Sequence, residues 1–201
     1  MFENFRNDPE NFPLKTPSGK IEISSDTIES FQLKDCLSHP SWFEPYEWLG
    51  KINKYTLHLI SNQPTHRLHG QLDNASDSRK SKIKDREPVL INSSDANKRS
   101  IKDDDIVMLY NDRGKVLAGA ILSEDVMPGV VVLSTGAWFD PNYNLNTEVH
   151  GNPNVLTNDV GTSSLGQGPT SHTTLIEIKK ASKEEIADVM IFNSLSFKEN
   201  T

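Results

Sequence analysis

A single cysteine, Cys36, occurs in 201 residues, so neither an intrachain disulfide nor a cysteine-based metal site can form. No apolar run reaches the length of a membrane-spanning helix, which argues against membrane insertion. A basic surplus is missing too: 21 Lys and Arg face 28 Asp and Glu, a formal charge of −7. That balance argues against nucleic acid as a partner, because phosphate-backbone binding needs a basic face. The one basic cluster, Arg79-Lys-Ser-Lys-Ile-Lys84, sits among polar residues and reads as a solvated loop. The first residues lack the basic start and apolar core of a secretory signal. Apolar bulk is thin as well. Leu, Ile, Val and Phe make up about a quarter of the chain, and the mean hydropathy is −0.54. This is above the level of disorder but low for a self-contained globule. The chain reads as part of a larger body or as one with loose ends.

What is present is β structure. Residues 87–92, 106–111, 115–122 and 130–134 are apolar-rich runs bounded by Asp112-Arg113-Gly114, Met127-Pro128-Gly129 and similar turns, the pattern of a compact β domain. Residues 54–60 alternate with Tyr55, Leu57 and Leu59 on one face, and 175–178 make a last strand. Residues 20–24 alternate like a short half-buried strand. Ser25 is placed to cap a helix to Phe31, and Ser93 or Ser94 to cap one or two turns before Arg99. Ser182 and Glu185 fit a capping box for a helix running to about Met190. Prolines at 9, 13 and 17 argue against regular helix in residues 1–20. The polar stretch 73–85 reads as exposed. The aromatic segment 38–50 is either a strap over the chain's own core or an interdomain contact. Three parts follow: an irregular N-terminal extension (1–50), a β domain (51–180) and a short helix with a tail (181–201).

Few residues offer chemistry of their own. His66 and His69 have ligand-like spacing, but no second well-spaced pair supports a metal. Cys36 has no basic surroundings or helix start to activate it, and no Gly-x-Ser-x-Gly elbow occurs. Residues 161–168 carry three glycines without the ending of a P-loop, which alone reads as a surface turn. The combination says more. Gln63, His66, Arg67, His69 and Gln71 form one polar set, and Asn152, Asn154 and Gln167 another. Such amides can read a flat, nitrogen-rich, phosphate-bearing ligand through paired donors and acceptors.

Several ordered motifs then carry a resemblance. They are Ser61-Asn-Gln-Pro-Thr-His-Arg-Leu-His-Gly-Gln-Leu-Asp73, Glu87-Pro-Val-Leu-Ile-Asn92, Asn111-Asp-Arg-Gly114 and Met127-Pro-Gly-Val130. Leu133-Ser-Thr-Gly-Ala-Trp138, His150-Gly-Asn-Pro-Asn-Val-Leu-Thr157 and Gly161-Thr-Ser-Ser-Leu-Gly-Gln-Gly168 complete the series. With Asp8-Pro9, 13–23 and 39–50, they resemble, over about residues 5–180, the C-terminal part of the dimethyl sulfoxide reductase family of molybdenum enzymes. The similar branch is that of biotin sulfoxide and trimethylamine N-oxide reductases.

The resemblance implies a mainly β fold, a six-stranded double-psi β-barrel with short helices. It implies the cofactor bis(molybdopterin guanine dinucleotide) with molybdenum, gripped at Gln63, His69, Gly70, Gln71, Asn152, Gln167 and Gly168. His66, Arg67 and Asn154 are further candidates. It assigns no catalytic residue and no metal ligand to this chain, since the molybdenum ligand of the family lies in an earlier domain. The implied partners are upstream domains of the same reductase and an S-oxide or N-oxide substrate. The chain thus reads as a fragment inactive by itself, and its parent's compartment is open between periplasm and cytoplasm. Gly70 stands where that branch often has Ser, which removes a hydroxyl but keeps the backbone contact. The alternative is a stand-alone double-psi barrel serving as an interaction module.

Overall fold

The computed structural model describes residues 2–51 and 54–193, and the chain divides into two units. The larger comprises Pro45–Asp159 and Thr170–Thr201. Its strands are β1 (Leu57–Ile60), β2 (Pro88–Ile91), β3 (Ile106–Tyr110), β4 (Lys115–Leu122), β5 (Val130–Leu133), β6 (Pro141–Asn142), β7 (Thr147–Glu148) and β8 (Thr174–Lys180). Six of them close into a ring in the order β2-β5-β1-β8-β3-β4, with β4 returning to β2. The β1–β5 and β2–β4 seams are parallel and the other four antiparallel. This is a six-stranded double-psi β-barrel, with β7 and β6 added beyond β4.

Alternation along each strand explains the closure. Leu57 and Leu59, Val89 and Ile91, Val131 and Leu133, and Ile176 and Ile178 all turn inward and are buried. Side chains two apart share a face of a strand, so each strand gives one apolar row to a common interior. β4, like β1, β2 and β5, joins the two kinds of seam. Gly119 is in register with Ile106 of antiparallel β3 and with Pro88 of parallel β2. A Cβ there would stand 2.3 Å from the side chain of Ile83, so the close approach requires glycine.

Two barrel details differ from expectation. Residues 54–56 lie outside β1, which begins at Leu57. Beyond β8 the residues after Ser182 form a 3₁₀ turn, Lys183–Glu185, in place of a helix to Met190, although Ser182 and Glu185 do make the capping box. The box satisfies the first N–H groups, but residues 186–193 then leave helical geometry for bonds to the barrel. Residues 73–85 are not simply exposed. They contain α3 (Ser76–Lys80) and bury Asp73, Ser78 and the side chain of Lys82. Helix α4 (Ser93–Lys98) is capped by Asn92, whose Oδ1 accepts from the Ser94 N–H at 2.9 Å, rather than by a serine.

The smaller unit comprises Met1–Glu44 and Val160–Pro169. Helix α1 (Phe2–Asn7) forms ahead of Pro9, where no N–H is yet lost to proline. In α2 (Asp26–Ser30) Ser25 caps as expected, its hydroxyl accepting from Ile28 N–H. Residues 20–24 form no strand, and Ile21 and Ile23 are exposed because no neighbouring strand pairs with them. Trp42 is exposed too. In the larger unit Glu47 ties residues 45–50 to the barrel by accepting from Leu175 N–H at 2.8 Å and pairing with Arg113, while Tyr46 stays exposed.

Candidate functional site

Loop 61–73 leaves the end of β1, where the parallel β1–β5 seam also stops. Its shape is fixed from within. Leu68 and Gln71 pair across a tight turn, and His69 and Leu72 take positive φ of 49° and 61°. Gln63 donates through Nε2 to the Arg67 carbonyl at 3.3 Å. Positive φ is uncommon outside glycine, so such residues persist only where their surroundings hold them.

Buried charge supplies that hold. The Arg67 guanidinium donates to the carbonyls of His69 and Thr135, each at 3.1 Å, and to Ser78 Oγ at 3.3 Å. It also pairs with Glu87 at 3.1 Å and Asp73 at 3.4 Å. Lys82 Nζ bridges the same two carboxylates, at 2.8 Å to Asp73 and 2.9 Å to Glu87. Two cations and two anions thus lie together out of water, with their side chains at most 3% exposed. Buried charges are tolerated only when paired and hydrogen-bonded in this way. Burial pushes the Asp73 carboxyl up. The hydrogen bond and charge of Lys82, with the Trp138 N–H, outweigh it and hold the group below its ordinary value.

Segment 135–138 joins this loop to the other candidate loop. Gly136, at φ +90°, lies so close to the His69–Gly70 peptide that a Cβ would be 2.1 Å from the His69 oxygen. Ala137 offers its carbonyl to Asn152 Nδ2 at 2.8 Å. Trp138 donates its backbone N–H to Asp73 at 2.9 Å and its indole N–H to the Gly70 carbonyl at 2.6 Å. Its carbonyl accepts from His150 Nδ1 at 2.9 Å, which sets the tautomer and leaves Nε2, buried and without a partner among the described residues, as a bare acceptor. Burial pushes the His150 imidazole down, helped by the charge of Lys82, so it is neutral in the fold.

Turn 148–154 is organised on Glu148. Its two oxygens accept four backbone N–H groups, from Asp140, His150, Gly151 and Asn152, at 2.8 to 3.1 Å. Burial pushes this carboxyl up to about 7 against the pull of those donors. Gly151, at φ +103°, lets the turn pass Glu87, whose Cβ would be 2.4 Å from an added Cβ. Asn152 Oδ1 accepts from Asn154 N–H at 3.0 Å and so caps the 3₁₀ turn Pro153–Val155.

The expected site residues therefore fall into different positions. His66, His69 and Gln71 are exposed and, among the described residues, make no side-chain hydrogen bond. Gln63 keeps its amide oxygen open, and the Asn154 side chain is exposed. Gly70 has room, since a Cβ would lie 3.4 Å from the Gly136 oxygen and 3.6 Å from the Trp138 ring. Arg67 and Asn152 are instead spent on their own backbone surroundings. Gln167 and Gly168 belong to the smaller unit, where Gln167 donates to the Ser163 carbonyl at 2.9 Å and sits against Gly161. His66 and Arg67 also line a concavity of about 370 Å³. Pro88, Leu90, Ile121 and Val132, from the outer faces of β2, β4 and β5, give it an apolar wall, and Asn62, Thr65 and Ser134 contribute a polar rim.

Sequence reasoning missed the buried supporting roles of Asp73, Lys82, Glu87, Trp138 and Glu148. An acidic residue or a lysine in a polar stretch gives no sign of burial. Among the described residues no group of three or more His, Cys, Asp or Glu is arranged to hold a metal ion.

Likeness to known proteins, in sequence and in fold, points one way. The model of the molydopterin dinucleotide binding domain matches residues 57–175. A trimethylamine-N-oxide reductase of Haemophilus influenzae is 47% identical over 184 residues, covering 89% of this chain and 22% of that protein. A biotin sulfoxide reductase of Cereibacter sphaeroides is 44% identical over 175 residues, covering 87% of this chain and 24% of that one. The chain thus spans less than a quarter of the length of these curated relatives. Among solved structures, acetylene hydratase from Pelobacter acetylenicus superposes with a TM-score of 0.69 at 15% identity, over 87% of this chain and 25% of that one. At that identity the likeness concerns the fold.

Proposed function

Because the chain belongs to the molydopterin dinucleotide binding domain family, we propose that its barrel is a mount for bis(molybdopterin guanine dinucleotide) in a longer molybdenum reductase. The parent reaction on this reading is reduction of an S-oxide or N-oxide, as in the relatives' names, with upstream domains completing the site. One observation carries the assignment. Exposed His66, His69 and Gln71 offer unspent hydrogen-bonding groups from a loop held rigid by buried charge, beside an apolar wall. A flat heterocycle needs that pairing of an apolar surface with a few fixed polar groups.

The cofactor, when bound, supplies the two-electron oxygen-atom chemistry. The part of this chain is to hold and orient. His69 and Gln71 present donors and acceptors, and Gly70, with no side chain, leaves room beside them. Gln63, His66 and Asn154 add further polar groups, and the smaller unit offers Gln167 and Gly168 on its own loop. Arg67 and Asn152 act one step back, by fixing the loops on which the others stand.

Gln71→Ala in the longer protein tests the reading. The side chain makes no hydrogen bond among the described residues, so the fold should be unaffected while pterin dinucleotide content, measured by mass spectrometry and metal analysis, falls. Unchanged content would count against the assignment and in favour of a barrel that serves only as an interaction module.

A further inference from the structure

The C-terminal segment 186–193 crosses the barrel beside the buried charges. Arg86 donates to the Ala187 carbonyl, and Asp140 Oδ2 accepts from the N–H groups of Met190 at 2.6 Å and Ile191 at 2.9 Å. Ala187 and Val189 pack on the cluster of Ile106, Met108, Leu117 and Val149. Pinned in this way, the segment delivers one aromatic ring. The Phe192 ring meets His150 edge-on at 4.9 Å between centroids, lies 6.4 Å from Trp138, and has Lys82 Nζ at 6.0 Å. The Arg79 guanidinium, from α3, covers its face at 4.8 Å.

Phe192 therefore adjoins His150, the imidazole whose Nε2 has no partner among the described residues, and Lys82, which bridges both buried carboxylates. The charged and titratable groups around that imidazole are Asp73, Glu87 and Lys82, with Glu148 on its own turn. Water reaching this place would solvate Asp73 and Lys82 separately and weaken the pairing on which the shape of loop 61–73 depends.

We propose that Phe192 is a positioning residue of the candidate site: its ring keeps the Arg67–Asp73–Lys82–Glu87 cluster dry and thereby holds loop 61–73 in its ligand-facing form. The coupling between tail and loop stands on geometry alone. Its consequence for the dinucleotide rests on the function proposed above.

The test compares the 201-residue chain with Phe192→Ala and Phe192→Leu, using amide hydrogen exchange and NMR titration of His150. In Phe192→Ala, exchange in loop 61–73 should accelerate about tenfold while the amides of β4 keep their protection. His150 should protonate at higher pH, because water then reaches Nε2. Phe192→Leu retains an apolar cover and should restore both readings. The proposal is overturned if loop exchange and the His150 titration match the unaltered chain. It is overturned equally if protection falls uniformly over loop and barrel, or if Leu fails to rescue a folded Ala variant. Should the Ala variant not fold, Phe192→Val, a smaller cover than Leu, decides: faster loop exchange with β4 unchanged supports the proposal, and uniform change or none overturns it. In the longer protein Phe192→Ala should also lower retained pterin dinucleotide severalfold. If the unaltered longer protein retains none, the cofactor reading fails, while the tail–loop coupling still stands or falls on hydrogen exchange in the 201-residue chain.

Discussion

Lys82 and Asp73 face each other at 2.8 Å with neither side chain reaching solvent. Replacing Lys82 by Met would leave Arg67 as the one cation paired with two buried carboxylates. Removing one partner of a buried pair typically costs about 3–5 kcal/mol. Urea denaturation of Lys82→Met should show a loss of that order. Lys80→Met, at an exposed pair with Asp77, should leave the midpoint in place.

Gly70 and Gly136 adjoin, yet they should tolerate change very differently. At Gly136 an added Cβ meets the His69 oxygen at 2.1 Å, and φ is +90°. Gly136→Ala should destabilise by at least about 2 kcal/mol, through strain and displacement of the loop. At Gly70 the nearest atom is 3.4 Å away, so Gly70→Ala and Gly70→Ser should melt close to the unaltered chain. Circular dichroism melts of the three variants would check the contrast.

Glu148 gives a pH dependence of definite sign. Its carboxyl is raised from 4.5 to about 7 in the fold, so between those values the folded state binds the proton more readily than the unfolded state. Its contribution is fully present below 4.5, falls as pH rises towards 7, and is flat above. The size is about 3 kcal/mol across the window. Glu148→Gln cannot titrate, so the stability difference between the two proteins should change over this range. A difference independent of pH would contradict the shifted carboxyl. Gln would also turn its amide NH2, a donor, towards N–H donors, making the variant the less stable fold.

Asn152 and Asn154 separate a supporting amide from a surface one. Asn152→Ala loses the bond to Ala137 and the cap of the 3₁₀ turn, worth about 1–2 kcal/mol together. Asn154→Ala removes an exposed side chain and should leave thermal unfolding unchanged. If both variants melt alike, the supporting role of Asn152 is wrong.

The barrel was legible because its information is local. Lys115–Leu122 reads as a strand from its own residues, and the structure places β4 on the same span. Leu57 and Leu59 announce an inward face by alternation alone. Residues 20–24 alternate as clearly yet pair with no strand among the described residues, because alternation states a preference and only a neighbour satisfies it. The ligand-facing residues were partly legible through their polar density and through resemblance. Their support was not. Asp73, Lys82 and Glu87 are ordinary charged residues until the fold brings Lys82 within 3 Å of both carboxylates. Trp138 reads as one more aromatic before a turn, and only in three dimensions does it connect Gly70, Asp73 and His150.

Strand β4 is bonded along two seams of opposite sense, antiparallel to β3 and parallel to β2, which overlap at Gly119. A one-residue insertion would demand compensating slips of opposite direction on its two sides, which no single neighbour can make. Length variation in this domain therefore belongs in the connections, such as exposed Glu124–Asp125 or Tyr143–Asn144. Those are the places at which a tag, a circular break or an inserted module should leave the barrel able to close.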